Sequence, residues 1–468
     1  MPAGWPIRYT TRVLGGLLLL SVATALASAG SVYLAGPDDY REALARLGPG
    51  DTLALTAGTY RQGLPVRDLI GTRSDPIHIA GPAHGEPAVF RGRRGHNTVS
   101  ITDSAWVTIR DIEIDGRGIG GDGVKLEGDA RFGHYITLSG LHIRNLASGQ
   151  QIVGISTKAP ARGWVVRDSI IESPGTGMYF GDADGSAPFV AGLIEHNVVT
   201  DAVGYALQIK HQDSRAEFAD MPDEPSLTII RHNVLAKGEN AATGNRARPN
   251  LLLGHFPAEG SGARDRYAVY GNLLYNNPTE RLFQGEGNIA LYSNLLINPS
   301  GAGLAIMPHK GEPGDVLVFH NTLVAAEGTG AWIQRGETTR RIEVVANAVF
   351  ADPPFSGDGA PGDGNLAEPL EAAAEHLRAP FAAPGELDLT PVADALALAT
   401  PLPLAWRGTL PDAARDFDGE RRTGRHAGAY DSAPGMPRWP PTLVRKPLPV
   451  SPAPGSDPPL QADPEANR

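Results

Sequence analysis

A short phrase recurs along this chain: two or three apolar or β-branched residues, a polar residue, an Asn, then more apolar residues. It reads Ile194-Glu-His-Asn197-Val-Val, Ile230-Arg-His-Asn233-Val-Leu and Val269-Tyr-Gly-Asn272-Leu-Leu. It continues as Leu291-Tyr-Ser-Asn294-Leu-Leu, Val318-Phe-His-Asn321-Thr-Leu and Val344-Val-Ala-Asn347-Ala-Val. Weaker copies centre on Asp111, Gly140 and Asp168, and successive spacings run from 22 to 39 residues. Self-similarity on this scale restricts the chain to a solenoid or a propeller. Each unit holds short runs of two-residue alternation broken by Gly, Asn, Asp and Pro, so its elements are strands and turns. A propeller blade takes about 40 to 45 residues and four strands, which most of these units are too short to supply. A single-stranded parallel β-helix of about ten coils fits, because like residues then stack about 4.8 Å apart. Stacked Asn side chains satisfy one another and the backbone at a turn, so the recurrent Asn reads as structural. The His of the His-Asn pairs (His196, His232, His320) read as turn residues rather than metal ligands.

The chain opens with an export-like leader. Arg8 and Arg12 precede an apolar run from Val13 to Leu26 that ends in Ala27-Ser28-Ala29, a small-residue cleavage pattern. The run is shorter than the roughly 20 apolar residues a spanning helix needs, so cleavage and no stable membrane insertion are expected. Residues 30–350 then form the β-helix, 351–431 a linker and C-terminal capping segment with a short helix near Leu370 to Arg378, and 432–468 a disordered Pro-rich tail. Asp38 to Leu47 reads as an amphipathic helix with Tyr40, Ala43, Leu44 and Leu47 on one face, suited to covering the open end of the first coil.

Removing Arg8 and Arg12 with the leader leaves 39 Lys and Arg against 52 Asp and Glu. That surplus of acid disfavours nucleic acid as a partner, and an anionic substrate would need a local basic patch or a bound cation. The chain has no Cys, hence no disulfides or thiol chemistry. No zinc, heme or phosphate-loop motif occurs. An exported, periplasmic or extracellular monomer is expected.

The repeat, together with the opening phrase Pro49-Gly50-Asp51-Thr52-Leu-Ala-Leu-Thr-Ala-Gly58-Thr59-Tyr60 and the closing phrase Asp416-Phe-Asp418-Gly419, resembles the pectin-lyase-like superfamily of right-handed parallel β-helices. That superfamily includes polysaccharide lyases, pectinases and alginate epimerases. The resemblance covers roughly residues 31 to 350.

A second set of aligned phrases marks one strand per coil. They are Gly123-Val-Lys125-Leu-Glu127, Gly154-Ile-Ser156-Thr-Lys158, Gly177-Met-Tyr179-Phe-Gly181 and Ala206-Leu-Gln208-Ile-Lys210, followed by Leu251-Leu-Leu253-Gly-His255, Leu282-Phe-Gln284-Gly-Glu286, Gly303-Leu-Ala305-Ile-Met307 and Ala331-Trp-Ile333-Gln-Arg335. Alternation along a strand sends the second residues inward: Val124, Ile155, Met178, Leu207, Leu252, Phe283, Leu304 and Trp332. The fifth residues point out, placing Lys210, His255 and Glu286 on three consecutive coils. Gln208, Gln284 and Tyr179 lie beside them, with Lys158 and His211 close by. Two long polar inserts, Gln212 to Ser226 and Lys237 to Arg266, fall at these coils and bring Arg215, Arg246, Arg248, Arg264 and Arg266 as a basic rim.

Lys210, His255 and Glu286 are therefore the candidate catalytic residues. Gln208, Gln284, Tyr179, Lys158, His211, Arg246 and Arg248 are the candidate substrate-binding residues. Breaking a uronic-acid polymer by β-elimination needs a base for the proton beside the carboxylate, an acid for the departing oxygen and cations to screen the carboxylate. Lys210, His255 with Glu286 orienting it, and the loop arginines fill those roles. Within the superfamily, Lys210 followed by a basic residue one coil later is similar to the alginate and chondroitin lyase branch, where an Arg occupies the position of His255. In that branch an acidic pair just before the Lys holds calcium. Gly204, Tyr205 and Ala206 stand there in this chain, which leaves a Ca2+ requirement open. Hydrolysis needs two carboxyl groups about 5 to 9.5 Å apart, whereas Glu127 and Glu286 lie five coils apart. The readings carried forward are a lyase of an acidic polysaccharide, a uronate epimerase and a non-catalytic polysaccharide-binding β-helix.

Overall fold

The computed structural model describes residues 30–218, 220–359, 361–362, 364–400, 409–431 and 437–447. The leader lies outside the described residues, as does the tail beyond 447. Three sheets run the length of the chain, two of twelve strands and one of eleven among the described residues. The first extends from Val32–Ala35 to Arg341–Val345, the second from Gly58–Tyr60 to Leu366–Glu368, and the third from Leu64–Arg67 to Phe355–Ser356. Their strands pair in parallel with the strand one coil away. This is the parallel β-helix that the repeat period predicts.

One residue makes the corner between the first and second sheets, and it does so in the left-handed region. Asp111, Asp168, His196, His232, Ser293, His320 and Ala346 hold φ between 50° and 57° there, and glycine serves at 140 and 271. Short polar residues and Gly tolerate that region best, which explains the residue before each Asn and confirms the three His as turn residues. The weak copies Asp111, Gly140 and Asp168 align with this corner residue, one position before the Asn. The Asn ladder then runs unbroken through Asn197, Asn233, Asn272, Asn294, Asn321, Asn347 and Asn365. Each Nδ2 donates to the next Oδ1 at 2.9–3.0 Å. Buried amides left without partners would cost about 1–3 kcal/mol each; here every rung is satisfied by its neighbour.

The inward rows fill the bore. In the third sheet Val99, Val124, Ile155, Met178, Leu207, Leu251, Phe283, Leu304 and Ala331 stack in register, and all nine are buried. Two members differ from the sequence expectation. Leu251 pairs with Leu207, so Leu252 faces outward, and Ala331 pairs with Leu304, so Trp332 faces outward. The helix α1, Tyr40–Leu44, buries Tyr40 and Leu44 against the first coils, as its apolar stripe predicts.

The C-terminal segment runs back along the side of the solenoid. Phe417, Tyr430 and Trp439 pack on the outward residues of the second sheet, among them Val198, Val234, Leu273 and Leu295. Leu410 and Ala413 cover the outward Tyr270–Tyr292–Phe319 stack of the first sheet. The closing phrase thus covers a flank rather than the far end. Residues 437–447, expected to be disordered, are part of this flank. Lys446 is buried and donates from Nζ to the Phe417 carbonyl at 2.7 Å and to the Gly271 carbonyl at 3.1 Å. Neither cluster includes an outward residue of the third sheet.

Candidate functional site on the open face of the third sheet

Because the C-terminal segment packs on the other two flanks, the outward rows of the third sheet lack that cover, and Tyr179, Lys210 and Gln284 are partly exposed there. One row is Ser156, Tyr179, Gln208, Leu252, Gln284, Ala305 and Trp332, in register on consecutive coils. The row two residues further on is Lys158, Gly181, Lys210, Gly254 and Glu286, following from Phe180↔Ile209, Ile209↔Leu253 and Leu253↔Gly285. Lys210 and Glu286 share that row as expected, but the rung between them is Gly254, not His255. His255 lies one position later and falls beside His211. Lys210 thus has a side-chain-free glycine rung on either side, and the rungs are spaced by about 4.8 Å.

Lys210 is half-buried, and its ammonium is held below the ordinary lysine range. Burial is the main cause, repulsion from Lys310 adds to it, and Glu286 and Asp182 oppose it. His211 is pushed down by burial and then by Lys210, His255 and Lys310. Its ring stacks on His255 with centroids 5.2 Å apart. His255 Nδ1 lies 3.0 Å from the Phe256 carbonyl; a carbonyl can only accept, so Nδ1 carries the proton and Nε2 is the nitrogen free to exchange one.

Glu286 has a different task from the one its position suggests. It is only 4% exposed, and its Oε2 accepts the backbone N–H groups of His309, Lys310 and Gly311 at 3.1, 3.0 and 2.9 Å. It therefore anchors the turn that carries Lys310, instead of orienting His255. Gly311 of the same turn lies under the His255 ring, where a Cβ would come within 2.3 Å of the ring carbons. Lys310 is the cation that sequence reasoning missed. It sits in a Pro-His-Lys-Gly turn without periodicity, and only the distant carboxylate of Glu286 fixes its place.

Upstream, Lys158 Nζ lies 3.4 Å above the Tyr179 ring and 3.7 Å from Asp182. Burial lowers it to about 8, with Asp182 opposing and Lys125 assisting. Tyr179 is raised by burial, so its phenol stays protonated and keeps a hydrogen to donate. Gln208 is 4% exposed, and its Oε1 is buried without a hydrogen-bond partner, an amide left for something outside the chain. Gln284 lies two coils on, across Leu252. Trp332, by contrast with its expected core role, is 38% exposed with the Arg281 guanidinium 5.7 Å from its ring.

The inserts divide. Arg246 and Arg248 line the edge where the strands begin; Arg248 lies 5.9 Å from the Tyr205 ring, and Gln150 donates to the Arg246 carbonyl at 2.7 Å. They face the site from the edge opposite His211 and His255. Arg215 is instead buried in an ion pair with Asp265, and Arg266 pairs with Asp315, so neither belongs to a basic rim. The first insert folds toward earlier coils, with Asp220 2.6 Å from His134 Nε2. Among the described residues no group of three or more His, Asp or Glu is placed to hold a metal ion, and no helix is long and apolar enough to cross a membrane. Among those residues no acidic cluster offers Ca2+ a ligand set.

Three stacked parallel sheets, an internal Asn ladder and one open polar face define a parallel β-helix protein. No family model and no curated protein matches the chain. Among solved structures it is similar to the GH136 lacto-N-biosidase from Eubacterium ramulus, at 12% identity and a TM-score of 0.47, over 72% of this chain and 67% of that one. It is also similar to an alginate lyase from Paenibacillus sp. str. FPU-7, at 14% identity and a TM-score of 0.37, over 72% of this chain and 98% of that one. A mannuronic acid specific polysaccharide family 6 lyase from human gut microbiota matches at 14% identity and a TM-score of 0.41, over 71% and 77%. Likeness of this degree leaves the function to be read from the chain's own residues.

Proposed function

We propose that the protein is an exported enzyme that cleaves an acidic, uronate-containing polysaccharide by β-elimination at Lys210. The single observation that carries this reading is the state of Lys210: half-buried, depressed by burial and by Lys310, and set between two glycine rungs on the open face. A depressed lysine supplies the free amine that a base requires. In the reaction Lys210 Nζ takes the proton on the carbon beside the carboxylate. The electron pair forms a carbon–carbon double bond as the glycosidic oxygen departs from the next carbon. His255, protonated at Nε2, gives its proton to that oxygen. Lys310 screens the carboxylate, Tyr179 donates to a sugar oxygen, and Gln208 Oε1 accepts from a sugar hydroxyl.

Hydrolysis by a carboxyl pair has less support, since the Glu286 carboxylate is committed to three backbone N–H groups and Glu127 lies five strands away in the sheet order. The test is incubation with alginate, polygalacturonate and glycosaminoglycans while following the ultraviolet absorbance of the unsaturated uronate. Proton exchange without cleavage would convert the reading to an epimerase, and binding without either would leave a carbohydrate-binding module.

A further inference from the structure

The open face does not end at Tyr179. Its outward row continues toward the N-terminus through Ser156, Lys125, Ser100 and Pro65, and at its far end lies a cleft of about 560 Å³. Arg41, Gln62, Arg93, Arg94, His96, Asn97, Ser100 and Glu127 supply its polar lining. Three different parts of the chain converge there. Arg41 comes from α1. Arg93, Arg94 and His96 come from a tight turn closed by the His96 N–H on the Arg93 carbonyl at 3.2 Å, with Gly95 at φ 77°. Glu127 comes from the end of the strand Val124–Leu126.

The charges of this cleft are unbalanced in one direction. Arg41 donates only to the Gln62 amide oxygen, at 3.2 Å, and none of the three guanidiniums has a carboxylate partner among the described residues. The one acid, Glu127, is already held by Asn97 Nδ2 at 2.9 and 3.2 Å and by Ser100 Oγ at 2.7 Å. Guanidinium forks suit carboxylate or sulfate, while Glu127, Gln62 and Asn97 can pair with hydroxyls. An anion carried on a polyhydroxylated ring satisfies both.

We infer that this cleft is a distal subsite for a charged sugar of the same polymer, four coils from Lys210. Four coils span about 19 Å, and Lys125 and Lys158 stand along the way. The inference rests on the reading of Lys210 as the reactive centre only for its claim that one chain occupies both places. The charged sugar could bear carboxylate or sulfate, and the two are separated by the ligand used.

The test is calorimetric binding to the full-length protein carrying Lys210→Ala, with the probes checked to be intact after each titration. The probes are a uronate octasaccharide, a uronate disaccharide and a chondroitin sulfate octasaccharide. Arg93→Ala with Arg94→Ala should weaken one or both octasaccharides by tenfold or more, with a shallower salt dependence, and leave the disaccharide and the thermal midpoint unchanged. Arg93→Lys with Arg94→Lys should recover part of the loss. Equal octasaccharide affinity with and without the arginines, or no octasaccharide binding at all, would overturn the subsite. Absence of unsaturated product from the unaltered protein, with arginine-dependent binding retained, would overturn the lyase reading and leave the subsite standing.

Discussion

His211 and His255 stack face to face on adjacent coils, their ring centroids 5.2 Å apart, and the outer ring of the pair rests on Gly311. Nothing larger than glycine fits beneath it, since a Cβ there would come within 2.3 Å of the His255 ring. Gly311→Ala is therefore expected to push the imidazole off its partner while leaving the solenoid intact. A displacement of that size costs about a hundredfold in rate when the group takes part in the chemistry. Steady-state kinetics should show it in kcat/KM, with the circular dichroism spectrum unchanged.

The turn that carries Gly311 depends on one oxygen. Glu286→Ala removes the acceptor of three backbone N–H groups and should destabilise the fold by on the order of 2–3 kcal/mol. Glu286→Gln keeps a carbonyl in place and should recover most of that loss in a denaturant titration. Glu286→Ala should also weaken activity, because Lys310 moves with the turn, and Glu286→Gln should keep most of it.

Lys158 gives the fold a pH dependence of known sign. Its amine sits near 8 in the folded chain against an ordinary 10.5, so between those values the unfolded chain binds more protons and stability rises with pH. The contribution is complete above 10.5 and lost as pH falls toward 8. Lys158→Met should raise the denaturation midpoint at pH 7 and flatten the rise between pH 8 and 10.5.

At the other end of the open face, Trp332 offers a ring surface to solvent beside Arg281. Replacing it with Ala removes a platform for the apolar face of a sugar but no core contact of comparable size. Affinity for long oligosaccharides should fall several-fold, and the thermal midpoint should move little.

Much of this architecture is written in the repeat. The Asn of each phrase marks the ladder because only a side chain with both donor and acceptor can bridge identical neighbours along a stack. The inward row was legible wherever apolar and polar residues alternate, as in Val124-Lys125-Leu126. It was illegible at Leu251-Leu252-Leu253, where three identical residues carry no phase, and a one-residue slip there moved His255 into the wrong row. At Ala331-Trp332-Ile333 size misled: the bulky ring was read as core, whereas the small Ala331 faces the bore. Lys310 and the docking of Lys446 depend on partners far away in sequence, Glu286 in one case and Phe417 and Gly271 in the other. Local pattern does not encode such contacts.

The account turns on Lys210 acting as the base, and Lys210→Arg tests it most directly. Arginine keeps the charge and reach but stays protonated at any working pH, so it can still hold a carboxylate yet cannot accept the proton. With a uronate polymer that the unaltered protein cleaves, the variant should still bind in a calorimeter and should release unsaturated product at least a hundredfold more slowly. Unsaturated product appearing at the unaltered rate would contradict the assignment.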